Sequence, residues 1–468
     1  MTGEVTISVW LLFILLFVAV WAMLERIFIP SVRWFFRRRV NSVLDEISTR
    51  LDIEIRPFQL TKRQVLIDRL VYDTQVIEAM QAYALEQDMP REVAQAKVVT
   101  YAKEIVPSFN AYIYFRIGYW CAKRIARLLY WVRVDRVDNE RLASIDPDST
   151  VVFIMNHRSN MDYILISSLV AERTTLSYAA GEWARIWPLQ TLLRATGAYF
   201  VRRDSGNPLY RRVLERYIHM ATKEGVCQAV FLEGGLSRDG KLRPPKLGII
   251  DYMLRGFETE TDRDIVFIPV GLNYDRTLED RSLIRTLDPD AGKRSKWFVF
   301  KTTIGFLWHN LMLRFFNQWE RFGFACANFA PPVSAREFGR LKGVNFSRLD
   351  RSARFALVQE LCDQLMASIR SNIPLLPVSL VASVLLEVRE HWLSDFDVKA
   401  RVHRLMEELR ARGAPVYAPT RGLEQAVTGG FKMLKLRRMV DESDGLFRAN
   451  PESIDILSYY ATVTDYWR

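Results

Sequence analysis

Between residues 132 and 333, short runs of β-branched and aromatic residues alternate with helix-length stretches, and this alternation limits the fold more than any other feature of the chain. The runs are "VRVDRV", "TVVFIM", "LSYAA", "GAYFVRR", "CQAVFLEG", "DIVFIPVGLNY" and "ACANFAPPV". Strands spaced by helices build a layered α/β fold, because each helix covers a sheet face that would otherwise meet water. Residues 131–335 are therefore expected to form an α/β unit with a mixed, mostly buried sheet of about seven strands and flanking helices.

Helical texture surrounds this unit. Residues 41–130 carry apolar residues at three- and four-residue intervals, as in "TKRQVLIDRLVYDTQVIEAMQAYALEQDM". The more apolar "YAKEIVPSFNAYIYFRIGYWCAKRIARLLYW" is expected to pack on the α/β body or dip into a membrane interface. Residues 336–468 return to helices. There "IPLLPVSLVASVLLEV" is short for a membrane span and reads as a buried helix or a membrane-facing surface. "DVKARVHRLMEELRARG" reads as an amphipathic helix with a solvated face.

The N-terminal run "VTISVWLLFILLFVAVWAML", Val5 to Leu24, carries no charge. At ~1.5 Å rise per residue, about twenty residues cross a hydrocarbon core of roughly 30 Å. A cleaved signal would want a basic start and a shorter apolar core, and the chain opens "MTGE". Arg26, Arg33 and Arg37 to Arg39, interleaved with Trp34, Phe35 and Phe36, follow the run as a cytoplasmic flank would. Residues 1–40 thus read as a transmembrane anchor with a basic, aromatic interfacial segment, and the body as cytoplasmic. The net charge of +11 fits anionic lipid or an acidic carrier. Nucleic acid is not expected as a partner, since the clearest basic run adjoins the apolar segment, where lipid accounts for it. The four cysteines lack C-x-x-C spacing and read as buried reduced thiols.

"NHRSNMDY", residues 156–163, places His157 and Asp162 at the mouth of the strand "TVVFIM". Five residues apart on one helix, they would point in different directions. They meet only if His157 lies in the turn after the strand and Asp162 in the first turn of the next helix, with Ser159 and Asn160 as candidate caps. Asp162 could then bond one ring nitrogen and leave the other as a base. Alone, the spacing belongs far more often to a capping aspartate beside an incidental histidine. Arg202 and Arg203, ending another strand, are forks suited to a phosphate. "FLEGGLSRDGKLRPPKLG" places Glu233, Gly234, Ser237 and Arg238 after a third strand, where glycines let backbone N–H groups approach an anion. Pro269, within "VFIPVGLNYD", marks an edge, a bulge or a strand end. No G-x-S-x-G elbow is present, and the histidines show no paired metal-ligand spacing. This inventory suits a substrate that brings its own nucleophile and a histidine that removes its proton.

Taken in order, four of these stretches resemble the membrane-bound glycerolipid acyltransferases, above all the bacterial glycerol-3-phosphate acyltransferases, with the dihydroxyacetone-phosphate acyltransferases similar. They are "NHRSNMDY", "GAYFVRR", "FLEGGLSRDGKLRPPKLG" and "IPVGLNYD", and the likeness covers roughly residues 100–390. It implies acyl transfer from an acyl-CoA or acyl carrier protein thioester to the sn-1 hydroxyl of glycerol 3-phosphate, beside a phospholipid membrane, with no cofactor or metal. His157 would be the general base and Asp162 would hold its tautomer. Arg202, Arg203 and Arg238 would bind the acceptor's phosphate, Glu233, Gly234 and Ser237 would shape its pocket, Lys246 would add charge, and Pro269 would line a channel. The bacterial character of the motifs implies an inner membrane. Leu236 departs from the family pattern, which has arginine there, and leaves room for another acceptor such as dihydroxyacetone phosphate or a lysolipid; a non-catalytic lipid-binding protein is the remaining alternative.

Overall fold

The seven expected strands form one sheet: β1 (Trp131–Val137), β2 (Thr150–Met155), β3 (Ser177–Ala180), β4 (Ala198–Phe200), β5 (Gln228–Phe231), β6 (Ile265–Tyr274) and β7 (Phe324–Phe329). The structure is a computed structural model that describes residues 10, 55–170, 174–181, 185, 189–202, 205–287, 305, 321–417 and 422–468. The spatial order is β1-β7-β6-β2-β5-β3-β4, and a two-residue β8 (Val333–Ser334) also pairs with β6. β6 runs antiparallel to β7 and β8, and all other pairs are parallel.

Alternation along β2 shows why the sheet is covered on both faces. Val152 and Ile154 join one buried cluster, while Phe153 and Met155 join another. Side chains two apart share a face, so each strand contributes to two cores. Helices α1 (Thr74–Glu86), α2 (Arg91–Ile105), α5 (Pro208–Lys223) and α6 (Gly248–Leu254) contribute residues to the first cluster. Helices α3 (Tyr119–Leu129) and α4 (Asp162–Val170) pack on the second. Within α3, Trp120 stays exposed, as does Ile117 in the π-helical turn before it.

Pro269 stands in the middle of β6, opposite Ile154 of β2. Its carbonyl accepts from Ala330 N at 2.9 Å, so its missing N–H falls where β6 changes partner from β8 to β7. A proline there interrupts no ladder bond, so a strand-interior proline is accommodated without ending the strand.

Helix α7 (Arg351–Asn372) and helix α8 (Pro377–Glu387) dock against β6. A Cβ at Gly271 would lie 2.4 Å from the Asn372 carbonyl, so only glycine permits this approach. Asn273 Nδ2 donates to Pro374 O at 2.8 Å, and Asp275 Oδ1 accepts from Val378 N at 3.0 Å. The segment "IPLLPVSLVASVLLEV" is thus a buried helix: every residue from Pro377 to Leu385 is enclosed. Each such valine or leucine contributes roughly 1.5–3 kcal/mol. Helix α9 (Asp395–Ala411) is solvated on one face only and buries Val398, Val402, Leu405, Met406 and Leu409. Helices α10 (Leu423–Leu436) and α11 (Ile454–Asp465) complete this region.

A small antiparallel sheet of β9 (Leu393–Ser394), β10 (Val440–Ser443) and β11 (Leu446–Ala449) was not expected from the sequence. Its signal was the Asp444-Gly445 pair, both at positive φ, which is the turn chemistry of a tight hairpin. The apolar run from Val5 to Leu24 lies outside the described residues except for Trp10, which is helical and exposed. Among the described residues, no helix is long and apolar enough to cross a membrane.

Candidate active site

The parallel register Met155↔Phe231 sets the site, because it carries the loops after β2 and β5 out of the sheet side by side. His157 and Glu233 each follow two residues past this pair. Met155 also faces Val270 of β6, and Asn156 clamps that neighbour, accepting from Leu272 N at 2.7 Å and donating to Leu272 O at 2.9 Å.

Asp162 opens α4, and its carboxylate folds back over the preceding loop. Oδ2 accepts from Arg158 N at 2.8 Å and Ser159 N at 3.1 Å, and lies 2.8 Å from His157 Nδ1. Two backbone amides already hold the oxygen, so the carboxylate reaches the ring as an acceptor and Nδ1 carries the proton. Nε2 is then the basic nitrogen, and it makes no hydrogen bond among the described residues. The ring stacks on Phe231, with centroids 3.9 Å apart and planes within 15°. Asp162 fixes the ring's edge and Phe231 its face. His157 is 8% exposed, while Asp162 is fully buried. Tyr274 brings its buried hydroxyl near this carboxylate; burial first, and then the charge of Asp162, raise its pKa well above the ordinary value.

Glu233 has a structural part. Its Oε1 accepts from His157 N at 2.8 Å and its Oε2 from Arg243 N at 2.9 Å, so both oxygens are used in tying one loop to the other. Burial pushes its pKa up to about 7 against these two bonds. Ser237 is buried as well: its N–H donates to His157 O at 2.8 Å and its hydroxyl to Lys241 O at 2.8 Å. Gly234, at φ +65, is exposed, and a Cβ there would meet Lys246 Cγ at 2.9 Å. Arg238 is exposed and Leu236 partly so.

The arginine pair divides. Arg202 gives its fork to Glu104 of α2, with Nε to Oε1 at 2.9 Å and Nη2 to Oε2 at 2.7 Å, and its cation lies 5.1 Å from the ring centres of both Tyr101 and Tyr210. Burial works against ionisation of Glu104, but its bonds to Arg202 and the charge of Arg185 prevail and hold its pKa below the usual range. Arg202 thus pairs with an internal carboxylate through the same fork that the resemblance would give to a phosphate. Arg203 lies outside the described residues. Pro269 is buried within β6.

Three side chains important to the loop went unmarked in the sequence. Glu279 accepts from Ser159 Oγ at 2.8 Å and from Asn160 Nδ2 at 3.0 Å. Arg158, inside "NHRSNMDY", turns away from the histidine into the interior, where it meets Tyr459 of α11. Glu279 and Tyr459 are 120 and 301 residues from their partners, and no local pattern reports such a contact.

His157 and Asp162 lie in a stretch that is similar to known acyltransferases. The acyltransferase family model matches residues 133–273, and the model of the glycerol-3-phosphate acyltransferase C-terminal region matches residues 311–461. A glycerol-3-phosphate acyltransferase of Pseudomonas entomophila (strain L48) is 30% identical over 290 residues, covering 60% of this chain and 32% of that protein. One from Pseudomonas aeruginosa (strain LESB58) is 28% identical over 304 residues, 64% of this chain and 35% of that protein. The chain thus spans about a third of the length of the curated relatives it matches. A crystal structure of the 1-acyl-sn-glycerophosphate acyltransferase PlsC from Thermotoga maritima aligns over 65% of this chain and 97% of its own, at 19% identity and a TM-score of 0.30, too low to bear on the fold. The acyltransferase domain and the glycerol-3-phosphate acyltransferase C-terminal region are thus matched in series along the chain, and the curated proteins it resembles are glycerol-3-phosphate acyltransferases.

Proposed function

We propose that this protein transfers a fatty acyl group from a thioester, acyl-CoA or acyl carrier protein, to the sn-1 hydroxyl of glycerol 3-phosphate, giving lysophosphatidate. The observation that carries this reading is the His157–Asp162 pair at 2.8 Å with Nε2 open, at the mouth of a strand inside the matched acyltransferase domain. Nε2 takes the proton from the acceptor hydroxyl as that oxygen attacks the thioester carbonyl. The carbon–sulfur bond breaks, and the imidazolium returns the proton to the departing thiolate. Asp162 keeps the proton on Nδ1 throughout and stabilises the transient cation. Phe231 holds the ring plane, so little orientation is lost on the way to the transition state.

The phosphate of the acceptor is assigned to Arg203 and Arg238, with Lys246 adding charge. Arg202 is engaged by Glu104 and serves the scaffold. The apolar segment from Val5 to Leu24 anchors the protein, and the basic residues after it hold the body against the cytoplasmic face of a bacterial inner membrane. Both the acyl donor and the product carry long apolar chains, so catalysis beside a bilayer suits them.

The test is protein in nanodiscs with radiolabelled glycerol 3-phosphate, given acyl-CoA and acyl carrier protein thioesters separately. Labelled lysophosphatidate from either donor supports the assignment and identifies the donor. Leu236 favours a second reading, in which the acceptor is dihydroxyacetone phosphate or a lysolipid. Product from one of those acceptors, and none from glycerol 3-phosphate, would replace the first reading with the second. Within the first, Arg203→Ala is expected to raise the acceptor's KM more than the donor's; equal changes would remove Arg203 from the phosphate.

A further inference from the structure

Arg158 adjoins the base, yet its side chain is only 2% exposed and meets no carboxylate within ion-pair distance among the described residues. Taking a guanidinium out of water without a counter-ion costs several kcal/mol, so the groups around it need an explanation. Nη1 donates to Gly240 O at 3.1 Å and Nη2 to Tyr459 O at 3.3 Å, and the cation lies 4.8 Å from the centre of the Tyr459 ring. Tyr459, on α11, is itself buried, and its hydroxyl is 3.4 Å from both Arg158 O and Thr277 Oγ1, either of which can accept its one proton.

The same helix grips the loop after β5. Tyr466, the residue capping its C-terminus, accepts from Leu242 N through its hydroxyl at 2.7 Å, and Thr462 Oγ1, whose proton goes to Ser458 O at 2.8 Å, lies 3.3 Å from Asp239 O. Gly240 sits at φ +84, and a Cβ there would lie 2.3 Å from Tyr459 O, so the loop passes as close to the helix as a backbone can. That loop in turn holds His157 on both sides of its peptide unit, through Glu233 and Ser237. Arg158 is the second link, because its backbone N–H is one of the amides that holds Asp162 Oδ2. One residue therefore joins α11 to the carboxylate that orients the base.

We propose that α11, acting through Tyr459 and Arg158, positions the His157–Asp162 pair, so that Arg158 and Tyr459 are positioning residues for a base that neither touches through its side chain. This rests on the acyl-transfer reading. Displacing the loop by about 1 Å costs about 10²-fold in rate even where no reacting group is lost. Both KM values are expected to change little, since both side chains are buried.

The test uses the full chain in nanodiscs. Tyr459→Leu removes the ring and hydroxyl and keeps the backbone carbonyl; Tyr459→Phe keeps the ring beneath the cation; Arg158→Lys keeps charge and stem but loses the fork. For each, kcat, both KM values and amide hydrogen exchange over residues 157–162 are measured. The expected result is that Tyr459→Leu and Arg158→Lys lower kcat by about 10²-fold, leave both KM values within about threefold, and speed exchange in the loop, while Tyr459→Phe stays close to wild type. If Tyr459→Leu fails to fold, Arg158→Lys decides. Wild-type kcat and protection in Arg158→Lys would overturn the proposal, as would a rise in KM alone. Should wild type show no acyl transfer, the functional reading fails by itself, and the exchange data still report whether α11 holds the loop.

Discussion

The loop after β2 and the strand end after β4 offer the same kind of material, polar side chains at the edge of a buried sheet, and the structure uses them in opposite ways. After β2, His157 is held by Asp162 through one nitrogen and stays open at the other. After β4, Arg202 is closed upon Glu104 by both arms of its fork and flanked by two tyrosine rings, though its side chain stays partly exposed. The first arrangement keeps a reactive atom available, and the second satisfies a charge. A motif position thus reports that a polar residue is needed, and the partners decide whether it is needed for chemistry or for the scaffold.

The comparison breaks most visibly at Asp162. Asp162→Asn offers the ring the wrong partner and is expected to lower kcat by ~10²–10⁴ at little cost in acceptor KM, as measured in steady-state acyl transfer. Arg202→Ala should act on stability instead. Leaving Glu104 partly buried without its fork is expected to cost about 1–3 kcal/mol in chemical denaturation, with kcat kept within about threefold. Adding Glu104→Gln to that variant should restore part of the loss. An acceptor KM raised tenfold or more by Arg202→Ala would show that the Glu104 pair opens to admit a phosphate.

Two carboxylates sharpen the contrast through pH. Glu104 has its pKa held down, so its contribution is present above the unfolded value near 4.5 and lost as pH falls through the folded one. Glu233 has its pKa raised to about 7, so its contribution is full below about 4.5 and lost as pH rises through 7. Asp275, which burial pushes up to about 7, acts in the same direction as Glu233. Thermal melts should therefore show Glu104→Gln losing its destabilising effect in acid, and Glu233→Gln flattening the decline of Tm between pH 5 and pH 8 by a few degrees. A decline unchanged by Glu233→Gln would place the titration elsewhere.

How much of this was legible in the sequence follows from the range of the forces involved. Strands such as "TVVFIM" and "DIVFIPVGLNY" announce themselves by local composition, and the short β9–β11 sheet left only the trace of Asp444-Gly445. The meeting of His157 with Asp162 needs only a turn and a helix start, both local. The pairing of Arg202 with Glu104 spans 98 residues and that of Arg158 with Tyr459 spans 301, and neither has a periodicity to betray it. Glu233 shows the same limit from the other side. Its place after a strand was plain, but its attachment to His157 N depends on the register of β2 against β5.

The most direct test of the central claim is the turnover of His157→Gln against wild type, both purified in nanodiscs with saturating thioester and glycerol 3-phosphate and shown by melting to be folded. The proton-removing role of His157 predicts a fall in kcat of ~10²–10⁴ with the acceptor KM little changed. A variant that turns over within about tenfold of wild type would mean that the acceptor hydroxyl loses its proton to some other group, and that the pair after β2 is scaffold as Arg202 is.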